Sequence, residues 1–295
     1  MWDLQNPELN GLVRQYQSEY TGPPTRSRNS LTTLMARRPV PFPFPVICLI
    51  LLGVTPLGLT SLIRAADLPS GASLIQRCID SEGGAKAIER ARSAIMTGTV
   101  ELTGHNISGP LEIYQQGDKS YTVIELPGIG KMEEGFDGEV AWESNVLQGP
   151  RVKDGEELEA TRRSSRMSVL SGWTEYYKSA VTAGSEMVNG KPAWKVDMTP
   201  LQGSAAEQFF FDQDSGLLVK MTQTLPTALG DIPVEMTIGD YREVDGIQTP
   251  FLMTQSAMSQ NMAMHILKAV YNPAIPAGRF DLPPEIKAIA EKKKP

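Results

Sequence analysis

The chain is poor in the residues that most catalytic and metal sites require. Its 295 residues include only two cysteines and two histidines. A zinc site of the usual kind needs three or four Cys, His or carboxylate ligands at suitable spacing, and neither His105 nor His265 has an obvious companion. The G-x-S-x-G, Walker A, H-E-x-x-H and C-x-x-C patterns are also missing. We therefore expect a protein that is not an enzyme and that uses no metal or other cofactor.

Basic residues are outnumbered in most of the chain. Residues 1–66 hold six Arg, no Lys and three acidic residues, which leaves 22 basic and 31 acidic residues in 67–295. An acidic body is a poor binder of nucleic acid, because phosphate contacts need clustered Lys and Arg. We exclude nucleic acid as a partner, and we interpret the short run Lys292–Lys294 as a solvated end.

One stretch carries no charge at all. Residues 42–63 follow Arg37 and Arg38 and precede Ala65-Ala66, an order that is typical of a secretory signal. The same 22 residues are long enough to span a bilayer, so a retained anchor is the alternative to cleavage. Either way, the upstream arginines direct the body out of the cytoplasm.

Three parts of the chain follow from this stretch. Residues 1–34 are predicted to be a disordered extension, and the sequence after Met35 suggests that translation starts there. Residues 35–66 are predicted to be a signal peptide or signal anchor, and residues 67–295 one exported domain in the bacterial periplasm. An uncleaved 42–63 segment would tether that domain to the inner membrane. Only Cys78 remains in the domain, so no internal disulfide is expected.

The exported domain is predicted to be mainly β. Apolar residues recur at helical spacing in 71–92, with Gly83-Gly84 as an interruption, and alternate with polar residues from Met96 onwards. Residues 156–179 again show helical spacing. Short turns such as Asn189-Gly190 separate the alternating segments. We count ten or eleven strands, which predicts a single antiparallel meander without an internal repeat.

Methionine is the unusual feature of this domain, which holds 11 of the 13 in the chain. Seven of them alternate in phase with apolar neighbours on predicted strands, as Met264 does with Ile266. Each such set faces one side of a sheet. Methionine packs in ordinary cores, but it also lines surfaces that accept varied apolar ligands. Both interpretations stay open at this level.

The order of several segments resembles the periplasmic LolA/LolB-like superfamily, in particular outer-membrane lipoprotein-sorting proteins. The segments are the opening helix with Gly83-Gly84 and residues 136–142, 173–177, 188–196, 210–218, 240–246 and 279–283. This resemblance implies an α+β domain in which one strongly curved antiparallel sheet forms an unclosed half-barrel. Helices would pack on its concave face, around an apolar cavity that receives acyl chains.

The leading hypothesis is a non-enzymatic, monomeric periplasmic carrier that binds lipid or lipoprotein acyl chains. The helix with Trp173 and Tyr177 is predicted to act as a lid. The predicted cavity lining consists of Met96, Val100, Trp194, Met198, Met221, Met236, Ile238 and Met264. Two alternatives remain. One is a regulatory or scaffolding protein that binds an envelope membrane protein through the sheet edge or outer face; the other is a hydrolase with an unrecognised site.

Overall fold

Thirteen strands form one antiparallel sheet in the part of the chain that the computed structural model describes, residues 68–146, 148–203, 207–227, 230–258 and 260–293. The strands are β1 (Ser93–Leu102), β2 (Ile107–Gln116), β3 (Lys119–Leu126), β4 (Gly130–Phe136), β5 (Ala141–Asn145), β6 (Gly149–Val152), β7 (Tyr177–Val188), β8 (Lys191–Pro200), β9 (Glu207–Asp212), β10 (Leu218–Thr227), β11 (Gly230–Val244), β12 (Ile247–Ala257) and β13 (Gln260–Tyr271). The predicted extension 1–34 and signal 35–66 lie outside the described residues. Within the described ranges, no helix is both long and apolar enough to span a membrane.

The chain enters this sheet in its middle. From β1 it meanders outward to β6 at one edge, and then crosses to β7 at the opposite edge. From β7 it meanders back until β13 pairs with β1, for example Val100 with Met264. The two edge strands do not pair with each other, so the sheet forms an unclosed half-barrel. The predicted fold class is therefore confirmed, with thirteen strands instead of ten or eleven.

Within the described residues, four helices accompany the sheet: α1 (Gly71–Ser81), α2 (Ala85–Arg90), α3 (Gly155–Ser164) and α4 (Pro284–Lys293). The α1 helix begins at Ser70, whose hydroxyl accepts a hydrogen bond from the Ser73 N–H at 3.1 Å. It packs against β7 and β8 and buries one apolar stripe, Leu74, Ile75, Cys78 and Ile79. The face of the sheet that α1 covers is called the inner face below.

The predicted break between the first two helices is confirmed. Gly83 has φ +124°, and a Cβ at this position would lie 2.2 Å from the carbonyl oxygen of Gly246. The neighbouring backbone carbonyl of Glu82 accepts a hydrogen bond from Gln248 N–H at 2.9 Å. The turn between α1 and α2 therefore docks directly on the β11–β12 hairpin, and only glycine fits at its closest point.

Two strands, β4 and β6, were not predicted. The acidic pair Glu133-Glu134 lies in β4, where adjacent side chains point to opposite faces. Glu133 accepts a hydrogen bond from the Tyr121 hydroxyl at 2.5 Å, and Glu134 accepts one from Lys153 at 2.5 Å. Strand β6 has only four residues, too few to show a period.

The prediction of one helix over 156–179 is wrong in its extent. The α3 helix ends at Ser164, and only a single 3₁₀ turn, Trp173–Glu175, follows it. Gly172 before that turn has the left-handed φ of +67°, which separates the two. Tyr177 is the first residue of β7, and its side chain is buried against apolar residues of the sheet. The apolar residues spaced three and four apart, which predicted a helix, thus lie in a 3₁₀ turn and the strand that follows it.

The C-terminal residues up to Lys293 form helix α4, and Lys292 and Lys293 at its end are exposed. Ile286 is completely buried in a cluster with Tyr114, Tyr121 and Trp142. These three side chains lie on the outer face of the sheet, opposite to α1. Lys293 donates hydrogen bonds to the carbonyl of Val152 at 3.2 Å and to Asp154 at 2.6 Å. One helix is therefore anchored on the convex side of the half-barrel.

Candidate functional site

The inner face of the sheet carries two apolar clusters that differ in what covers them. The first lies on β7–β11 and is packed against α1, α2 and residues 169–177. Its centre is fully closed: Met198 and Phe209 are 0% exposed. This cluster, called the helix-covered cluster below, has the composition and burial of an ordinary protein core.

The second cluster is made of strand residues alone, apart from Ile129 in the β3–β4 turn. It is called the open cluster below, and among the described residues no helix contributes a side chain to it. Several members are only partly buried. These partly buried members are Met96, Leu102, Ile107, Ile113, Ile129, Met132, Val244, Met253, Met262, Met264 and Ala269.

The two clusters lie on one continuous face. Strand register places Ile238 of the helix-covered cluster directly opposite Met253 of the open cluster. Met253 is in turn opposite Met264, and Met264 is opposite Val100. Cross-strand pairs of this kind stand on the same side of the sheet. Half of the inner face is therefore filled by helices, and the other half presents partly exposed methionines.

The residues predicted to line a cavity divide between these clusters. Only Met96, Val100 and Met264 belong to the open cluster, and Val100 there is fully buried. The other five belong to the helix-covered cluster or pack against it: Trp194, Met198, Met221, Met236 and Ile238. The prediction did not include Leu102, Ile107, Met132, Met253 and Met262. Met253 and Met262 could have been included from sequence, because both alternate in phase with apolar neighbours on their predicted strands.

The predicted lid residues also lie at the helix-covered cluster. Trp173, in the 3₁₀ turn, packs against it, and Tyr177 is one of its buried members. The Tyr177 hydroxyl donates to Glu207 at 2.5 Å, and Arg163 of α3 donates to the same carboxylate at 2.6 Å. Burial and the Glu207 carboxylate raise the pKa of Tyr177. Tyr177 is thus a strand residue that makes a buried polar contact with Glu207, and the lid role of this segment stays a prediction.

The segment from β6 to β7 spans the opening between the two edges of the sheet. Its helix α3 lies against β5 on one side and β10 on the other. Arg151 of β6 donates two hydrogen bonds to Glu157 of α3, at 2.6 and 2.7 Å, and one to Glu143 at 2.8 Å. With the Arg163–Glu207 pair, α3 is held by charged contacts to both halves of the sheet.

A partly buried carboxyl lies where α1 ends. Glu82 accepts a hydrogen bond from the Cys78 thiol at 3.5 Å, and its charge interacts with the hydroxyls of Tyr241 and Tyr271. Burial raises the pKa of Glu82 to about 7. Burial also raises the pKa of Cys78, with the Glu82 charge as the second cause. A thiol with a raised pKa is a poor nucleophile, so this cluster does not favour thiol chemistry.

The histidines lie apart from these features. His105 is exposed in the β1–β2 turn, and His265 is exposed on β13. In the described ranges, no three His, Cys, Asp or Glu side chains are grouped as metal ligands. Whether the protein is an enzyme is not decided by this observation, and the absence of catalysis stays a prediction.

Comparison with known proteins supports the fold. No protein-family model and no curated protein match the chain. A DUF1329 family protein from Desulfovibrio piger superposes with a TM-score of 0.50 at 10% identity, covering 72% of this chain and 97% of that one. A LolA superfamily protein from Nitrosomonas europaea gives 0.49 at 10% identity, covering 72% and 98%. The predicted architecture, an unclosed antiparallel sheet with helices on its inner face, is confirmed, and the Desulfovibrio piger protein shares this fold.

Proposed function

We propose that the protein binds an acyl chain, of a lipid or of a lipoprotein, against the open cluster of the inner face. The observation that carries this proposal is the strand-only composition of that cluster, with Met96, Met253, Met262 and Met264 partly exposed to solvent. A contiguous exposed apolar surface in a soluble domain is a candidate interaction site.

The chemistry of the lining suits a flexible hydrocarbon. Methionine side chains are unbranched and polarisable, so they adapt to an acyl chain without a fixed shape. The favourable free energy would be about 25 cal/mol for each Å² of apolar surface removed from water. The open cluster consists of apolar side chains, and the guanidinium of Arg242 lies at its border, 4.4 Å from the centre of the Phe251 ring. The methionine-rich part of the face therefore favours the hydrocarbon part of the ligand.

The helix-covered cluster supports binding in a different way. Its buried core and the α3 contacts hold the two halves of the sheet in a fixed curve, which keeps the open cluster concave. The ten residues predicted from sequence therefore have two proposed roles. Met96 and Met264 line the ligand, and the other eight, which include the fully buried Val100, maintain the shape of the face.

The location of this function is part of the proposal. The uncharged 42–63 stretch after Arg37-Arg38 supports export, and the acidic body gives no support for a nucleic-acid partner. We place the domain in the bacterial envelope, outside the cytoplasm, as a monomer and a carrier without catalytic activity.

The test is binding of a fluorescent fatty acid to the purified chain, with native mass spectrometry after lipid extraction. Met264→Glu should abolish uptake of the fatty acid, because it places a charge in the middle of the apolar face. Met264→Leu keeps the face apolar and should bind as the wild type does. Met187→Glu is the matched control, since Met187 is 67% exposed on the edge strand β7 and is not a member of the open cluster.

Circular dichroism shows whether each variant is folded. If folded Met264→Glu takes up the fatty acid as well as the wild type, the open cluster is not the binding face. A protein that carries no lipid and takes up no fatty acid would reject the proposal as a whole.

A second candidate function uses the free edge of the sheet. Strand β7 has 12 residues, lies at the edge, and exposes Val181 and Met187. An added strand from a partner would pair with such an edge. The irregular pairing at Thr182/Gly184 and the charges of Lys178 and Glu186 act against indiscriminate pairing. A membrane protein of the envelope that co-purifies with wild type but not with Val181→Glu would favour this function.

A further inference from the structure

The two ends of the half-barrel differ sharply in charge. Because every neighbouring pair of strands is antiparallel, six of the hairpin connections meet at one end of the sheet. In the described ranges they include residues 103–106, 127–129, 146, 148, 201–203 and 258, and none of these is Asp, Glu, Lys or Arg. These described residues define the tip end below.

The opposite end has the usual polar turns. Five connections lie there, and four of them carry an acidic residue. The acidic residues are Asp118, Asp137, Glu139, Asp214 and Asp245. The α1–α2 turn also docks at this end, through Glu82 and Gln248. Acidic turn residues therefore lie at one end of the strands, and the described turns of the tip end carry none.

Apolar side chains are exposed at the tip end. Val146, between β5 and β6, is 53% exposed, and Leu201, between β8 and β9, is 54% exposed. Their strands lie close to opposite edges of the sheet, so the two residues stand on either side of its opening. Large apolar residues at hairpin tips cost free energy in water, and the described residues leave about half of each of these two side chains exposed.

The open cluster reaches the same end. Leu102 is the last residue of β1, and it is opposite both Ile107 and Met262 at the starts of β2 and β13. All three are members of the open cluster. The apolar inner face thus continues up to the uncharged tips, whereas α1, α2 and the charged turns close the other end.

We propose that the tip end docks on the surface of a lipid bilayer, with Val146 and Leu201 inserted through the headgroup layer to the upper part of the lipid tails. The occupant is a zwitterionic bilayer, because the tips offer no Lys or Arg for anionic headgroups and residues 67–295 carry a net charge of -9, from 22 basic and 31 acidic residues. Attraction comes from apolar insertion, so salt should not weaken it.

The nearest charged groups agree with shallow contact. Glu101, Glu125, Lys131 and Asp231 are each one residue inside a strand, and Lys131 is paired with Glu133 at 2.8 Å. Glu207 is the first residue of β9, where it is paired with Arg163, and Arg163 also donates to the carbonyl of Gln202 at 3.5 Å. The carboxyl carbon of Glu156 would be 3.8 Å from a Cβ at Gly203. These groups remain in the aqueous headgroup layer while Val146 and Leu201 pass it. This proposal goes beyond acyl binding and does not require it.

The experiment places a fluorescent label at single positions of the full chain and measures quenching by a nitroxide on the lipid tails. The labels are attached to Val146→Cys and Leu201→Cys, each combined with Cys48→Ser; Cys78 is buried. Met187→Cys, exposed near the charged end, is the matched control. Vesicles consist of phosphatidylcholine alone, or of phosphatidylcholine with phosphatidylglycerol.

We expect the labels at positions 146 and 201 to lose fluorescence on phosphatidylcholine vesicles, at low and high salt alike, and the label at position 187 to keep it. Unquenched labels at all three positions would overturn the proposal, and so would equal quenching at all three. Quenching that needs phosphatidylglycerol and disappears with salt would show electrostatic adsorption instead. Because no fatty acid is added, failure here is separate from failure of the acyl-binding test.

Discussion

Replacing Glu82 with Gln is expected to stabilise the domain at neutral and alkaline pH. The carboxyl of Glu82 lies at the end of α1, where its only hydrogen-bond donor among the described residues is the Cys78 thiol. The other ionisable groups that interact with it are the hydroxyls of Tyr241 and Tyr271, which offer no positive charge. An ionised Glu82 therefore has no counter-ion there, whereas a glutamine amide of the same shape carries no charge to desolvate.

The magnitude follows from the pKa of this carboxyl. Burial raises it from 4.5 to about 7, so between these pH values the folded state binds more protons than the unfolded state. Stability contributed by Glu82 is fully present below pH 4.5 and is lost as the pH rises through about 7. Because a factor of ten in proton affinity is worth about 1.4 kcal/mol, the total loss is about 3 kcal/mol.

The assay is urea unfolding of wild type and Glu82→Gln, followed by circular dichroism at several pH values. The difference in the free energy of unfolding should be small near pH 4.5 and should grow to about 3 kcal/mol above pH 7. Glu89→Gln is the matched control, because Glu89 is exposed on α2. A difference that does not change with pH would refute the reasoning, since a lost packing contact has no such dependence.

Two further predictions concern stability and use the same unfolding assay. Gly83→Ala should cost about 2–4 kcal/mol, because the new methyl group meets the Gly246 carbonyl, whereas Gly84→Ala, with nothing within 4 Å, should cost about 1 kcal/mol for its positive φ alone. Equal costs would contradict the docking of this turn. Arg163→Ala should cost about 3–5 kcal/mol, because it leaves Glu207 buried without its cation; a loss below about 1 kcal/mol would show that water reaches Glu207.

The tight turns and the alternation were predictable because both are local. Asn189-Gly190 and Asp245-Gly246 adopt the paired positive φ values that such dipeptides favour in two-residue hairpins. The alternation of apolar and polar residues placed Met253 and Met264 each on the apolar face of its strand. In the sheet these two residues are opposite each other on the inner face. The apolar stripe of α1 and the break at Gly83-Gly84 were also predictable from the sequence. The spacing of apolar residues gave a wrong prediction at residues 165–177, because a 3₁₀ turn and the start of a strand there have the same spacing as a helix.

The sequence by itself determined that this is an acidic, mainly β domain with short turns and methionines in phase on its strands, because each of these properties depends on residues close together in the chain. Tertiary structure alone decided which methionines are core and which are accessible. Met198 and Met264 look alike in sequence, yet helices cover the cluster of one and not that of the other. The pairing of β1 with β13 joins residues that are far apart in the chain, and so does the crossing from β6 through α3 to β7. Neither could be predicted from a local sequence pattern.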